Sequence, residues 1–128
     1  FLTDADNSGQ AFTDFTKLHF VYSVGGTDYI SQLPITVAAA TNYHLRIKIN
    51  SDRKATVFVN GIQYNLTSTA GSTGGTAVTA VEPGKQVTLS SALSNDVDLI
   101  PYIGIEANAG AAEAINIHYT AISRHVNE

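Results

Sequence analysis

Ala55-Thr-Val-Phe-Val-Asn-Gly-Ile-Gln-Tyr-Asn-Leu66 decides the fold, because two alternating runs meet at Asn60-Gly61, a dipeptide suited to the positive φ angles of a two-residue hairpin turn. Pairing outward from that turn sets Val59 opposite Ile62, Val57 opposite Tyr64 and Ala55 opposite Leu66 on one face. Thr56, Phe58, Gln63 and Asn65 fall on the other. The preceding run, Tyr43-His-Leu-Arg-Ile-Lys-Ile49, alternates in the same way, and the polar turn Asn50-Ser-Asp-Arg-Lys54 returns it so that Leu45, Ile47 and Ile49 extend the apolar face. The expectation is a three-stranded antiparallel meander, apolar on one side and polar on the other.

Upstream, Lys17-Leu-His-Phe-Val-Tyr-Ser-Val24, Gly25-Gly26 and Thr27-Asp-Tyr-Ile-Ser-Gln32 form a second hairpin in which Tyr22 meets Tyr29. Both of its faces carry apolar groups and are expected to be covered. Pro34 is read as the end of that strand, Ile35-Thr-Val37 as a further short strand, and Ala38–Thr41 as a connector too short for a helix. Residues 1–14 read as a loop, with Phe12 and Phe15 as the first core anchors.

Residues 68–85 hold four glycines and isolated valines, and read as an inserted Gly/Thr-rich surface loop with at most a short strand over Thr76–Val81. Long insertions cost little closure entropy and often carry binding, which makes this segment a candidate contact by position. Gln86–Leu93 and Leu99–Ala107 are expected strands. Ala114-Ile-Asn-Ile-His-Tyr-Thr-Ala-Ile-Ser123 is the expected final strand, with Ile115, Ile117, Tyr119 and Ala121 on one face. About eight short strands without a convincing helix point to a single all-β domain over 1–128, an antiparallel sandwich. The expected core includes Leu45, Ile47, Val57, Val59, Ile62, Tyr64, Ile115 and Ile117.

The chain has 128 residues, a net charge of −4, 14% charged residues and no cysteine. No basic footprint for nucleic acid exists, and no apolar run approaches the roughly 20 residues of a membrane-spanning helix. Disulfides and thiolate metal sites are excluded. The chain begins at Phe1 and contains no methionine, so it is expected to be a piece of a sandwich whose first strands lie upstream.

No catalytic set emerges. Glu106 stands alone on its strand, Glu113 falls in a turn and Glu82 in the loop, whereas retaining glycosidases need two carboxyl groups about 5 Å apart. The histidines do not have metal-ligand spacing. Asn95, Asp96 and Asp98 form the one acidic cluster able to imitate a calcium rim, although Ser94-Asn-Asp-Val-Asp98 also has the chemistry of an Asx turn. His44, Arg46, Lys48, Phe58 and His118 make a candidate contact surface on the polar sheet face. No cofactor is expected.

From Asn42 to Arg124 the order of segments resembles the C-terminal half of a concanavalin A-like (laminin G-like) jelly roll: Tyr-His-Leu-Arg-Ile-Lys-Ile, a polar turn, Ala-Thr-Val-Phe-Val-Asn-Gly-Ile-Gln-Tyr, a loop, Ile-Pro-Tyr-Ile-Gly-Ile-Glu-Ala, and Ile-Asn-Ile-His-Tyr-Thr-Ala-Ile-Ser. The last two segments are similar to those of structural proteins of tailed bacteriophages. That resemblance implies a non-enzymatic virion component, a capsid decoration, fibre-like or tail-associated domain, that contacts other virion subunits or further copies of itself as a homo-oligomer. The competing expectation is a carbohydrate-binding module of an extracellular or cell-surface protein, with a glycan as partner.

Overall fold

The computed structural model describes residues 1, 12–71, 74–85, 91–93 and 114–123. The chain divides into two compact units, Phe1–Asp98 and Leu99–Glu128. The first contains six strands: β1 (Lys17–Val24), β2 (Thr27–Thr36), β3 (Leu45–Ile49), β4 (Ala55–Val59), β5 (Ile62–Tyr64) and β6 (Thr76–Ala77). They form two three-stranded sheets, in the orders β1-β2-β6 and β3-β4-β5. All pairings are antiparallel except β2 with β6. The protein is an all-β sandwich, with no helix among the described residues.

The hairpin of β4 and β5 has the register that Asn60-Gly61 dictates, with Val59 opposite Ile62 and Val57 opposite Tyr64. Asn60 (φ 51°) and Gly61 (φ 82°) both adopt the left-handed conformation, which lets a two-residue turn follow the right-handed twist of its strands. Across the other side of β4, Leu45, Ile47 and Ile49 face Val59, Val57 and Ala55. The first hairpin turns at Gly25 (φ 57°) and Gly26 (φ 79°), and Tyr22 stacks on Tyr29 with ring centroids 4.8 Å apart.

The strand through Pro34 is longer than its sequence suggests, because β2 runs on to Thr36. Lys17 pairs with Thr36 and His19 with Gln32, so Leu33, Pro34 and Ile35 together oppose Leu18. Proline has no N–H to offer a ladder, and the bulge absorbs that missing donor without ending the strand.

The core lies between the sheets. Leu18, Phe20, Tyr22 and Leu33 from the first meet Ala55, Val57, Val59 and Tyr64 from the second, together with Leu66 just past β5. Two buried polar contacts tie the layers together. The Thr67 N–H donates to Ser31 Oγ (3.0 Å), and the Tyr22 hydroxyl donates to the Thr67 carbonyl (3.0 Å) while accepting from the Ser91 N–H (3.1 Å). Buried polar atoms are thus satisfied where the two sheets cross, which removes a desolvation cost of about 1–3 kcal/mol per group.

Residues 74–81 run from one sheet to the other. Thr76 and Ala77 pair with Ser31 and Gln32, and the Val78 N–H donates to the Gln32 carbonyl (3.0 Å). Further along, the Asn65 N–H donates to the Thr79 carbonyl (3.0 Å) and the Val81 N–H to the Gln63 carbonyl (2.8 Å). A segment too poor in apolar residues to order itself is therefore held by the backbones of both sheets.

Several expected core positions need correction. Leu45 (42% exposed), Ile47 (48%) and Ile62 (51%) keep the expected register but lie half in solvent, as does Ile49. The opposing sheet covers β4 but neither the β3 margin nor Ile62, which starts β5 on the other side of β4. Ile115 and Ile117 are each 53% exposed, and residues 114–123 form no assigned strand, because alternation marks an amphipathic segment without supplying the partner that buries it. Phe15 is also exposed, whereas Phe12 is buried. The expected strand Leu99–Ala107 and most of Gln86–Leu93 lie outside the described residues.

Candidate interaction surface

The sheet of β3, β4 and β5 presents two different rows at one margin. Its outer face carries Arg46 opposite Phe58 and Lys48 opposite Thr56, with Gln63 beyond Phe58. The Arg46 guanidinium lies 4.0 Å from the centroid of the Phe58 ring, a cation–π contact. His44 sits at the head of β3, where its N–H donates to Asn60 Oδ1 (2.8 Å) and its carbonyl accepts from the Asn60 N–H (2.8 Å). Of the five residues expected on a polar contact face, His44, Arg46, Lys48 and Phe58 are thus gathered at β3 and β4. His118 is exposed within the Leu99–Glu128 unit. Asn95, Asp96 and Asp98 lie outside the described residues.

The inner face at the same margin carries Leu45, Ile47 and Ile49, each about half exposed. Neighbouring apolar side chains that stay half exposed mark a surface with unsatisfied burial, in contrast to a single exposed leucine. The alternating sequence showed which residues share this face, but not that the second layer stops short of it.

The backbone phase of β3 sets which groups this margin turns outward. The Asn60 N–H donates to the His44 carbonyl and the Asn50 N–H to the Lys54 carbonyl (3.1 Å), which fixes the even-numbered residues of β3 as those bonded to β4. Antiparallel strands alternate, so the N–H and C=O groups of Leu45, Ile47 and Ile49 point away from β4. No described strand pairs with that edge.

A second feature lies on the far side of the first sheet. The His19 ring is fully buried and stacks on Phe12, with centroids 4.1 Å apart and planes 11° from parallel. Gly75 closes over it. A Cβ added there would stand 3.1 Å from Ile30 Cγ2 and 3.4 Å from His19 Cδ2, at a φ of 97° that side chains rarely adopt. Neither ring nitrogen of His19 nor Oε1 of Gln32 has a hydrogen bond. Burial pushes the His19 pKa below the ordinary histidine value, against the opposing influence of the Lys17 backbone, the Gln32 side chain and the Asp14 carboxylate. Sequence reasoning missed this site, since a lone histidine in a strand carries no signal of burial.

An open groove of about 340 Å³ borders this region, lined by threonines, glycines, Ile30 and Ala70. Among the described residues its walls contain no titratable side chain. Among the described residues no three His, Cys, Asp or Glu side chains approach one another closely enough to hold a metal ion. No helix among the described residues is long and apolar enough to cross a membrane.

No protein-family model, curated protein or solved structure matches this chain.

Proposed function

We propose that this chain is a non-enzymatic structural protein, a jelly-roll-like sandwich of a bacteriophage particle that acts through protein–protein contacts as a decoration, fibre-like or tail-associated domain. The observation that carries the reading is the β3 margin, where an apolar row half in solvent coincides with a sheet edge that no described strand pairs. Natural sheets blunt or cover such edges, and a subunit of an assembly covers them with a neighbour. Other virion subunits or further copies of the chain are the expected partners, and the virion its location.

Binding of glycan through the polar face is the competing use of the same sheet. Its one described aromatic there, Phe58, already has a guanidinium over its ring, which leaves less of that ring for a sugar. The test is native mass spectrometry on the chain taken from its natural source, beside an Ile47→Ser/Ile49→Ser variant. A multisubunit assembly weakened by the double substitution supports the proposal. A monomer in the native source, with glycan-array binding lost on Phe58→Ala, contradicts it.

A further inference from the structure

We propose that the β3 edge accepts an acidic, alternating strand from a partner protein, which adds as a fourth strand beside Leu45–Ile49. This deepens the protein–protein reading above and rests on it. The edge offers three consecutive outward pairs of N–H and C=O groups, on Leu45, Ile47 and Ile49, a ladder for main-chain hydrogen bonding by strand addition. Side chains of an added strand alternate between the two faces. Those on the inner face meet Leu45, Ile47 and Ile49, whose half-exposed side chains favour apolar partners. Those on the outer face meet Arg46 and Lys48, both exposed, with the Arg46 guanidinium over the Phe58 ring.

Charge decides between occupants. Leu45-Arg-Ile-Lys-Ile49 reads almost the same in both directions. An antiparallel pairing of two β3 edges about Ile47 sets Arg46 against Lys48 of the other copy twice, and a parallel in-register pairing sets each cation against its own kind. Like charges directly opposite in a ladder are destabilising. The two cations thus disfavour a second β3 while attracting a strand with Glu or Asp at alternate positions, so specificity comes from repulsion as well as attraction.

The test is an NMR titration of the chain of residues 1–128 with two capped peptides, Thr-Val-Glu-Val-Glu-Val-Thr and its counterpart with Lys in place of Glu. The Glu peptide is expected to shift the amide signals of Leu45, Ile47 and Ile49. It should bind at least tenfold more tightly than the Lys peptide, and weaken several-fold between about 50 and 300 mM salt as the charges are screened. Lys48→Glu, which leaves Arg46 and a carboxylate cancelling on the outer row, should abolish the preference, and Arg46→Gln, which keeps a long side chain over Phe58, should reduce it. Equal binding of the two peptides, shifts confined to other strands, or no binding by either overturns the inference.

Two outcomes separate this inference from the assembly reading. Native mass spectrometry showing copies joined through β3, with no response to the Glu peptide, sinks the acidic-strand inference and leaves the assembly reading standing. Specific binding of the Glu peptide by a chain that joins no assembly in its native source does the reverse. Edge amides already resistant to exchange before peptide is added would show that another part of the chain fills the edge, and that also overturns the inference.

Discussion

Val57 and Ile47 face each other across β3 and β4, yet one is fully buried and the other 48% exposed, so the same truncation should have very different costs. Val57→Ala removes two methyl groups, at about 0.8 kcal/mol each in transfer terms, and leaves a cavity in the middle of the central strand that adds about 1 kcal/mol. The expected loss is about 2–3 kcal/mol. For a domain of this size that lowers Tm by roughly 10 °C, at about 3–5 °C per kcal/mol. Ile47→Ala removes one more carbon, but about half of that surface is already in water and solvent fills the gap, so its expected cost is about 1 kcal/mol. The assay is urea unfolding of wild type and both variants by circular dichroism, with equal m-values as the check that the unfolded states are comparable. Equal losses would show that the second layer reaches β3 and that the exposed margin is not real. A Val57→Ala variant as stable as wild type would refute the core itself.

Four further outcomes are expected. His19 is buried neutral with a lowered pKa, so its contribution to stability is complete above the unfolded-state value of about 6.5 and is lost as pH falls below it, because the unfolded chain then binds the proton more readily. Stability measured from pH 7.5 to 4.5 should fall less steeply in His19→Leu than in wild type; parallel curves would refute this. Gly75→Ala should destabilise far more than Gly84→Ala, since both have positive φ but only Gly75 lacks space for a Cβ, and thermal melts of the two compare them directly. Gly61→Ala should cost about 1 kcal/mol or more through its left-handed turn position alone, read from the same melts. Pure chain is expected to leave polysaccharides, esters and nucleic acids intact, and polysaccharide turnover abolished by Glu106→Gln would contradict the non-enzymatic reading.

The parts of the fold legible in sequence are those written by local chemistry. Asn60-Gly61 needs two positive φ angles, and from that turn the pairings Val59–Ile62, Val57–Tyr64 and, across the next turn, Ile47–Val57 follow by counting. The same holds for Gly25-Gly26 and the stacked Tyr22 and Tyr29. What could not be read is where the second layer ends. Leu45, Ile47 and Ile49 alternate as cleanly as Ala55, Val57 and Val59, and only the opposing sheet distinguishes them. Residues 74–81 were obscure for a different reason. Threonine, glycine and alanine give little periodic signal, and their order comes from backbone hydrogen bonds to Gln32, Gln63 and Asn65. The candidate surface was half legible: Arg46, Lys48 and Phe58 were visible as one face, while the open backbone edge beside them needed the hydrogen-bond phase of β3.

The hydrogen-bond phase of β3 is open to direct measurement. Residue-resolved hydrogen exchange on the isolated chain should show the amides of Leu45, Ile47 and Ile49 exchanging at least a hundredfold faster than those of Arg46, Lys48 and Val57, because an open edge alternates between bonded and free amides along one strand. On adding a saturating Glu peptide, the three fast amides should slow to match their neighbours. Uniform protection along Leu45–Ile49 in the isolated chain would contradict the account, because the edge would then already be filled.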